Sequence, residues 1–365
     1  HRLIQLEPYI LPSLPPPQCK HINELIPDHD CSIIGVIYKE LATRKDVLKE
    51  YTEIGLDSQV EELASSEQDT IYVEDTTGRL LLEDIDPQTF PTGVIVGLFG
   101  HSEVAKFHVV SIHHPDIPPS RPLPEITTPP NTILFVSDLS CDSKENSKSL
   151  LQLAKDCVKY PLLVLLGNNF QEPQQTQSDD SYSFRKKLSS IPNMPITKLN
   201  GFLNTSRNKS NGKTILMPGS NDPCTIRLPQ LPYHRCLVNQ ENVELVTNPA
   251  SFTYQGVNFL CGSGESPVDV SKTTNLSFHD AQKALLHWGH YAPTAPDHLP
   301  CVPLEQKDLM VIEEMPNVFV CGLADEFQVS QVKETIVVSV PSFIKTKSAV
   351  LFNMETREFT LQQYQ

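Results

Sequence analysis

Polar side chains that contain oxygen follow four short apolar runs in the second half of the chain, at points where strands are expected to end. Asp138 and Ser140 follow residues 133–136, and Asn168 follows residues 162–166. Hydrolytic enzymes hold paired divalent metal ions with ligands of this kind. The chemistry to test is therefore metal-assisted hydrolysis. The positions that follow the other two runs, at 215–217 and 318–320, are Asn221, Asp222, Leu323 and Ala324.

The ligand set in these loops is too poor for that chemistry. A two-metal centre needs a carboxylate that bridges ions roughly 3.5–4 Å apart, because the two cations otherwise repel each other. Asn168 carries a neutral amide, which is a poor bridge, and only Asp138 and Asp222 carry a carboxylate. A carboxylate without partners does not hold a catalytic metal at useful affinity. The sequence therefore predicts no catalytic residue, no metal and no cofactor.

Composition narrows the class of protein. A length of 365 residues suits two domains, and 31 prolines indicate a compact protein rich in loops. The apolar runs fall far short of the roughly 20 residues that a membrane helix needs. Nine cysteines are scattered singly, without a Cys-x-x-Cys pair. This pattern disfavours a disulfide framework or a zinc site and favours a reducing compartment, the cytosol or the nucleus.

The net charge of −15 is unevenly distributed along the chain. Residues 31–120 contain 6 Lys and Arg against 16 Asp and Glu, which leaves a local charge of −10. Nucleic acids are bound through basic surfaces, so little or no direct DNA binding is predicted here. An acidic surface of this kind suits a basic partner protein, although a merely solubilising role is the simpler alternative.

Apolar patterns and turn residues divide the chain into four parts. Residues 1–30 form an N-terminal arm with a short helix and a proline cluster. Residues 31–117 predict a small β-barrel of the OB type, with about five short strands. Residues 118–130 form a proline-rich linker, since prolines at this density continue neither a sheet nor a helix. Residues 131–365 predict an α/β domain with a sheet covered on both faces.

Individual elements can also be predicted. Residues 70–82 form a hairpin in which Gly78 is expected to have a positive φ. In the second domain, a strand at 132–137, a helix at 144–160 and a strand at 162–166 form a βαβ unit. Other expected elements are a helix or loop at 46–63, a polar excursion at 171–184, a helix from Ser277 to His290 that begins with a capping box, and strands at 335–340 and 349–352 that close the sheet.

Several motifs together resemble a known family. They are Met217-Pro218-Gly219-Ser220-Asn221-Asp222-Pro223 with Leu228-Pro229-Gln230 and Pro232-Tyr233-His234; Val246-Thr247-Asn248-Pro249 with Tyr254-Gln255-Gly256-Val257; Ala292-Pro293-Thr294-Ala295-Pro296-Asp297; and, in the barrel, Val73-Glu74-Asp75-x-x-Gly78-Arg79 and Phe90-x-Thr92-Gly93-Val94-x-Val96-Gly97. The chain resembles the small, or B, subunits of eukaryotic replicative DNA polymerases, and those of the delta polymerase in particular.

The resemblance implies an OB-fold barrel joined to a four-layer, calcineurin-like metallophosphoesterase domain with a degenerate metal site. On this basis Ser140 and Asn221 replace imidazoles, and Asn168 replaces the bridging carboxylate. The archaeal relative keeps its ligands and acts as a 3′–5′ exonuclease. The resemblance also implies a nuclear accessory subunit of a DNA-directed DNA polymerase. It would link the cysteine-rich C-terminal domain of the catalytic subunit to a third accessory subunit in DNA replication and repair.

Alternatives remain open. The chain could be an active phosphodiesterase or 3′–5′ exonuclease with unusual ligands, or a B subunit of the alpha or epsilon polymerase. The barrel could bind single-stranded DNA, with Tyr72, Phe99 and Phe107 as stacking surfaces. The pair His287 and His290 has a metal-compatible spacing without an acidic or Cys ligand, so surface or core histidines are expected. The loops at 228–234 and 293–300 are candidates for rigid, proline-rich surface elements.

Overall fold

The computed structural model describes residues 1–42, 65–119, 122–124, 132–143, 145–171, 194–207 and 212–364. The chain forms two compact units. Unit 1 comprises His1–Ser120 and Ser266–Met315, and unit 2 comprises Arg121–Glu265 and Pro316–Gln365. The boundaries at 30, 117 and 130 stay a prediction. The predicted elements at 46–63 and 172–184 lie outside the described residues.

Unit 1 contains a closed five-stranded barrel. Its strands are β1 (His29–Glu40), β2 (Thr70–Glu74), β3 (Arg79–Glu83), β4 (Ile95–Glu103) and β5 (Lys106–His113). They pair in the order β1-β2-β3-β5-β4, and β5 returns to close on β3. Side chains alternate between the barrel core and the surface, as the period of a strand requires. The predicted barrel is confirmed.

The hairpin between β2 and β3 forms as predicted, but the role given to Gly78 is wrong. Gly78 is absent from the glycines with a positive φ. Asp75 instead shapes the turn, because its Oδ1 accepts the N–H groups of Thr77 at 2.6 Å and Gly78 at 2.9 Å. An aspartate at this position closes the turn without a left-handed residue. A glycine with a positive φ does occur in the barrel, but it is Gly93, which lies just before β4 and outside this hairpin.

The N-terminal arm of unit 1 contains the predicted short helix, α1 (Arg2–Ile10). Its apolar side chains Leu6 and Ile10 are fully buried. Ile10 packs so closely on β4 that a β-carbon at Gly97 would lie 2.6 Å from Ile10 Cγ2. Glycine at this position therefore lets the helix lie against the barrel wall.

Unit 2 is built on two sheets. The first has the order β16-β15-β6-β7-β8-β9, from β6 (Thr132–Val136), β7 (Leu162–Leu166), β8 (Lys213–Met217), β9 (Val243–Leu245), β15 (Ser348–Asn353) and β16 (Glu358–Gln363). The second has the order β10-β11-β12-β14-β13, from β10 (Ala250–Tyr254), β11 (Val257–Gly262), β12 (Val318–Ala324), β13 (Gln328–Val332) and β14 (Thr335–Pro341).

Both faces of the first sheet are buried. Leu134 and Val136 belong to a core shared with α2 (Ser147–Asp156) and α3 (Met194–Arg207). Ile133 and Phe135, which point to the other face, pack against the second sheet. Burial on both sides explains the continuous apolar sequences of β6 and β7. The predicted fold class, an OB-type barrel with an α/β phosphoesterase-like domain, is confirmed.

The sequence predicted that the two C-terminal strands close one sheet, and this prediction is wrong because they belong to different sheets. β14 pairs in parallel with β12 in the second sheet. The short helix α6 (Phe343–Thr346) follows, and β15 then pairs antiparallel with β6 in the first sheet. Periodicity gives each strand but not its partner, because pairing is a long-range property.

Along the chain, β11 is followed by two helices, α4 (Glu265–Thr273) and α5 (Phe278–His287), and then by β12. The predicted N-terminus of α5 is correct, since Ser277 Oγ accepts the N–H of Asp280 at 3.2 Å. The helix ends at His287 rather than at His290. Gly289 has a φ of +66° and turns the chain out of the helix. The longer helix predicted to His290 is therefore wrong at its C-terminal end.

No helix in the described ranges has both the length and the apolar character that crossing a membrane requires.

Candidate functional site

The carboxyl ends of the parallel strands β6, β7 and β8 lie side by side, and their loops meet within unit 2. The N–H of Ser140 donates to Asn168 O at 3.3 Å, and the N–H of Asn221 donates to Asn168 Oδ1 at 3.0 Å. From the second sheet, the N–H of Leu323 donates to Ser137 Oγ at 2.8 Å. The structure therefore brings the loops with the predicted positions into one cluster, at the edge where α/β proteins place their sites.

The backbone of these loops is unusual. Asp138, Ser140, Asn168 and Leu323 have φ values of 53°, 43°, 53° and 60°, in the left-handed region. Such a conformation costs an L-residue about 1–2 kcal/mol. Residues held in it cluster at functional sites. Four of the seven positions predicted from the sequence therefore share this backbone geometry, which also occurs in ordinary hairpin turns of this chain, at Ala105 and Lys333.

Asp138 is buried, and each oxygen of its carboxylate accepts one hydrogen bond. Ser140 Oγ donates to Oδ1 at 3.0 Å, and Ser342 Oγ donates to Oδ2 at 2.6 Å. Ser342 follows β14 and could not be recognised from the sequence. The two serine hydroxyl groups thus provide hydrogen bonds to the buried negative charge of Asp138, as buried polar groups require.

Asp222 anchors one loop to another. Its Oδ1 accepts the N–H of Asn169 at 2.7 Å, and its Oδ2 accepts the N–H of Gly219 at 2.8 Å and Asn169 Nδ2 at 3.1 Å. Burial raises the pKa of Asp222 to about 6, against the effect of these donors. Tyr233 OH accepts a further bond from Asn169 Nδ2 at 3.1 Å. Asp222 therefore holds the β7 and β8 loops together.

Within the described ranges, only the oxygen atom of the Asn168 side-chain amide forms hydrogen bonds. Its Oδ1 accepts Ser220 Oγ at 3.2 Å and the N–H of Asn221. Its buried Nδ2 has no partner among the described residues. A buried donor without an acceptor is costly and uncommon. The side chain at this position is thus fixed through its oxygen, while its nitrogen contributes nothing to the cluster.

Asn248 and Gln230, from two different family motifs, pair through main chain and side chain. Their backbones exchange two hydrogen bonds of 2.8 and 3.2 Å. Asn248 Nδ2 donates to Gln230 Oε1 at 2.6 Å, and it also contacts Ser263 Oγ and Glu265 Oε2. These motif residues therefore fix the loop after β8 to the loops around β11.

Replacing Asn248 by Ala is expected to lower the free energy of unfolding by about 2–3 kcal/mol, since Gln230 Oε1 and Glu265 lose a buried donor. Urea denaturation followed by tryptophan fluorescence and far-UV circular dichroism measures the change. Asn239, which is exposed in the same unit, provides the matched Ala variant. Equal losses for the two variants would mean that the Asn248 contacts are not stabilising.

The surface element predicted at 293–300 in unit 1 is exposed only in its second part, which includes Pro300, whereas 293–295 is buried. Thr294 and Ala295 lie in the interior, and only Pro296 and Asp297 of the Ala292–Asp297 motif are exposed. The guanidinium of Arg2 donates to the carbonyl oxygens of Pro293 at 2.7 Å and Ala295 at 2.9 Å. Carbonyls held in this way fix a loop internally. The density of prolines in the sequence therefore did not show which residues of this loop are exposed.

Several other polar and aromatic candidates have structural explanations, whereas Phe99 is half-buried without one. His290 is buried and its Nε2 lies 3.0 Å from Asp308 Oδ2, whereas His287 is exposed. Phe107 is fully buried in the barrel, so it offers no stacking surface. Arg79 lies over the Tyr72 ring, 5.2 Å from its centroid. In the described ranges, no group of three or more His, Cys, Asp or Glu side chains could hold a metal ion.

Comparison with known proteins gives the class. The family of the B subunit of DNA polymerases alpha and epsilon matches residues 133–329, and the family described as DNA polymerase delta subunit OB-fold domain matches residues 1–112. The chain belongs to this B-subunit family of DNA polymerases. Within that class the chain is similar to the delta small subunits. It is 28% identical to the DNA polymerase delta small subunit of Arabidopsis thaliana, over 94% of this chain and 83% of that protein. The resemblance predicted from the sequence is confirmed.

More distant similarities are confined to part of the chain. The DNA polymerase II small subunit of Archaeoglobus fulgidus is 36% identical over 117 residues, which are 30% of this chain and 24% of that protein. A solved archaeal phosphodiesterase is similar over 63% of this chain and 98% of its own, with 12% identity and a TM-score of 0.32.

Proposed function

We propose that this chain is a non-catalytic scaffold subunit of a DNA polymerase delta, acting in the nucleus in replication and repair. It would link the cysteine-rich C-terminal domain of the catalytic subunit to a third accessory subunit, with little direct contact to DNA. The similarity to delta small subunits over most of the chain supports this role. The acidic barrel segment also suits protein partners better than phosphate backbones.

The loss of catalysis rests on one observation, the engagement of Asp138. Both of its oxygens already accept hydroxyl donors, Ser140 and Ser342. The bridging position is occupied by Asn168, whose free atom is a nitrogen that carries hydrogens and cannot bind a cation. We infer that the residues present do not fit a two-metal centre. The degenerate positions are Asp138, Ser140, Asn168, Asn221, Asp222, Leu323 and Ala324.

The left-handed backbone of these loops supports descent from a working site. Leu323 keeps a φ of 60°, a conformation in which glycine costs less. The strain persists because the surrounding hydrogen bonds hold it, although the ligands that would use the geometry are gone.

We expect no hydrolysis of a phosphodiester reporter, such as bis-p-nitrophenyl phosphate, in the presence of Mn²⁺. The rate should equal that of the Asp138→Ala variant, because a two-metal centre needs an anionic bridge and the Asn168 amide is neutral. Mn²⁺ should also leave the unfolding temperature unchanged, since a ligand stabilises only the state it binds. An Asp138-dependent rate would favour the alternative, an active phosphodiesterase or exonuclease.

Assembly is tested by co-expression with the catalytic subunits of the delta, alpha and epsilon polymerases. Co-purification with the delta subunit alone, and recruitment of the third subunit to the same complex, is the expected result. Preference for the alpha or epsilon subunit would assign the chain to that polymerase. A monomer that binds none of the three would contradict the scaffold role.

A further inference from the structure

Two cysteines of unit 1 have thiols that contact each other. Cys19 lies in the N-terminal arm and Cys31 lies in β1, and both thiols are free. Their side chains form a hydrogen bond with each other. Two thiols in contact can be joined by a two-electron oxidation, which converts the pair into a disulfide.

The backbone of the arm holds Cys19 beside β1. Gln18 and Ser32 form a parallel bridge. The N–H of Ser32 donates to Pro17 O at 2.8 Å, and the N–H of Cys19 donates to Ser32 O at 2.8 Å. Each of the two cysteines is therefore one position away from a bridged residue. Main-chain hydrogen bonds thus hold the two thiols near each other.

The arm covers an edge of β1 that β2 leaves open. β2 pairs with β1 only from Val36 to Glu40, while β4 pairs with the other edge from His29 to Val36. The arm thus takes the place of a strand along the first half of β1. An uncovered strand edge presents free N–H and C=O groups. A bond between Cys19 and Cys31 would fasten the arm over this edge.

The two thiols differ in their access to solvent. Cys31 is 4% exposed, whereas Cys19 is half-buried. Burial, together with the neighbouring Cys19, raises the pKa of the Cys31 thiol to about 12, so Cys31 stays protonated at neutral pH. Since the thiolate is the nucleophile, an oxidant from solvent reacts first at Cys19. Cys31 then acts as the resolving thiol.

We propose that Cys19 and Cys31 form a redox-sensitive latch, a disulfide that pins the N-terminal arm to β1 when low-molecular-weight disulfides such as oxidised glutathione accumulate. In a reducing compartment the pair stays in the thiol form, so the bond would be transient and regulatory rather than permanent. The latch lies wholly within unit 1 and does not depend on the proposed partners.

The reaction consumes one molecule of oxidised glutathione. The Cys19 thiol releases its proton to water, and its thiolate attacks one sulfur of oxidised glutathione, breaks the S–S bond and expels a glutathione thiolate. That thiolate takes the proton of Cys31. The Cys31 sulfur then attacks the Cys19 sulfur of the mixed disulfide and expels the second glutathione thiolate, which takes a proton from water. Two electrons pass from the protein thiols, and two molecules of reduced glutathione form.

The experiment equilibrates the full chain in glutathione buffers of increasing oxidised fraction, blocks the remaining thiols by alkylation and maps the products by mass spectrometry. The peptides that contain Cys19 and Cys31 should be cross-linked and free of glutathione. Oxidation should raise the unfolding temperature by about 5 °C, because the bond closes a loop of the chain. The N–H of Ser32, which donates to the arm, should exchange with deuterium more slowly.

Three variants separate the latch from general thiol oxidation. Cys31→Ala should leave Cys19 as a mixed disulfide with glutathione, and Cys19→Ser should leave Cys31 unreacted. Cys236→Ser, at an exposed cysteine of unit 2, is the control and should keep both the cross-link and the temperature shift.

Two results would overturn the proposal. The first is a wild-type pair that stays reduced in fully oxidised glutathione, or that stops at a mixed disulfide on Cys19. The second is a cross-link that changes neither the unfolding temperature nor the exchange of Ser32, since the bond would then not pin the arm.

Discussion

Replacing Asp69 by Ala should lower the free energy of unfolding by about 3–5 kcal/mol, because it leaves a buried ammonium without its counter-ion. Lys39 Nζ lies 3.1 Å from Asp69 Oδ2, and the exposed fractions of the two side chains are 1% and 0%. The other partners of the ammonium, Ser65 Oγ at 2.6 Å and Thr273 O at 2.7 Å, are neutral. Urea denaturation of the full chain at constant pH measures the loss.

The pH dependence of this loss identifies its cause. Burial lowers the pKa of Lys39, and Asp69 opposes that effect. Without Asp69, the folded state binds the Lys39 proton less tightly, so folded Lys39 releases it at a lower pH than the unfolded chain does. The stability of the variant therefore rises with pH relative to the wild type. We expect a smaller deficit at pH 9 than at pH 6, and a constant deficit would exclude an unpaired ammonium as its source.

Two further variants calibrate the effect. Lys39→Met should cost less than Asp69→Ala, because Asp69 keeps the N–H groups of Ala42 and Ser66, each at 2.9 Å. Glu83→Ala breaks an exposed pair with Lys106 on the same barrel and should cost at most about 1 kcal/mol. Losses in the reverse order would show that side-chain volume, rather than charge, dominates at this site.

Local patterns were sufficient for much of the fold. The apolar runs of β6 and β7 predicted buried strands, since burial on both faces removes the need for polar alternation. Ser277 marked the start of α5, because a cap is a property of four adjacent residues. The end of α5 was missed, although Gly289 was visible in the sequence as a termination signal.

Long-range contacts explain what the sequence did not reveal. The carboxylate of Asp138 is engaged by Ser342, which is 204 positions away. Neither the composition nor the spacing of the Asp138 loop indicates that donor. Residue types alone predicted a poor set of metal ligands, but they could not show that the hydroxyl groups of Ser140 and Ser342 donate to the Asp138 carboxylate. The pairing of Asn248 with Gln230 was likewise hidden, although both residues stood out as motif members.

Proline density predicted rigid surface loops at 228–234 and 293–300. Each of these loops is exposed only in part. Leu228 is buried in the first loop, and Thr294 and Ala295 are buried in the second. The carbonyl oxygen of Ala295 accepts a hydrogen bond from Arg2, which lies at the opposite end of unit 1 in sequence. No local pattern could reveal such a partner, so the sequence did not show which residues of the loop are buried.

Replacing Arg2 by Met should lower the free energy of unfolding by about 3–4 kcal/mol, through the loss of four half-buried, charge-assisted hydrogen bonds, one of which is also an ion pair. The guanidinium donates to the carbonyl oxygen of Gly93 at 2.8 Å and to Asp308 Oδ2 at 3.0 Å, in addition to Pro293 and Ala295. Met keeps the apolar stem, so the change isolates the polar head. Chemical denaturation monitored by circular dichroism provides the measurement.

Two controls separate geometry from charge at this position. Arg2→Lys keeps the charge, but a single ammonium cannot reach four acceptors as a planar fork does, so more than half of the loss should remain. Arg227→Met changes an exposed arginine and should stay within about 0.5 kcal/mol of the wild type. A fully stable Arg2→Lys variant would show that charge alone matters.

The pKa of His290 provides a second test of the role of Arg2, because the charge of Arg2 lowers it. Burial, with the nearby charge of Arg2, lowers the pKa of His290 to about 4, and Asp308 opposes the shift. A histidine with a lowered folded pKa contributes stability above its unfolded pKa of about 6.5, and that stability is lost as the pH falls towards 4. Without Arg2, His290 should titrate at a higher pH, because its imidazolium would then pair with Asp308 alone. The Arg2→Met deficit should therefore narrow between pH 6.5 and 4, with an upward shift of the His290 resonance midpoint in NMR. A deficit that stays constant over this range would show that the charge of Arg2 does not influence the titration of His290, and that Arg2 stabilises unit 1 through its contacts with Asp308 and the carbonyl groups.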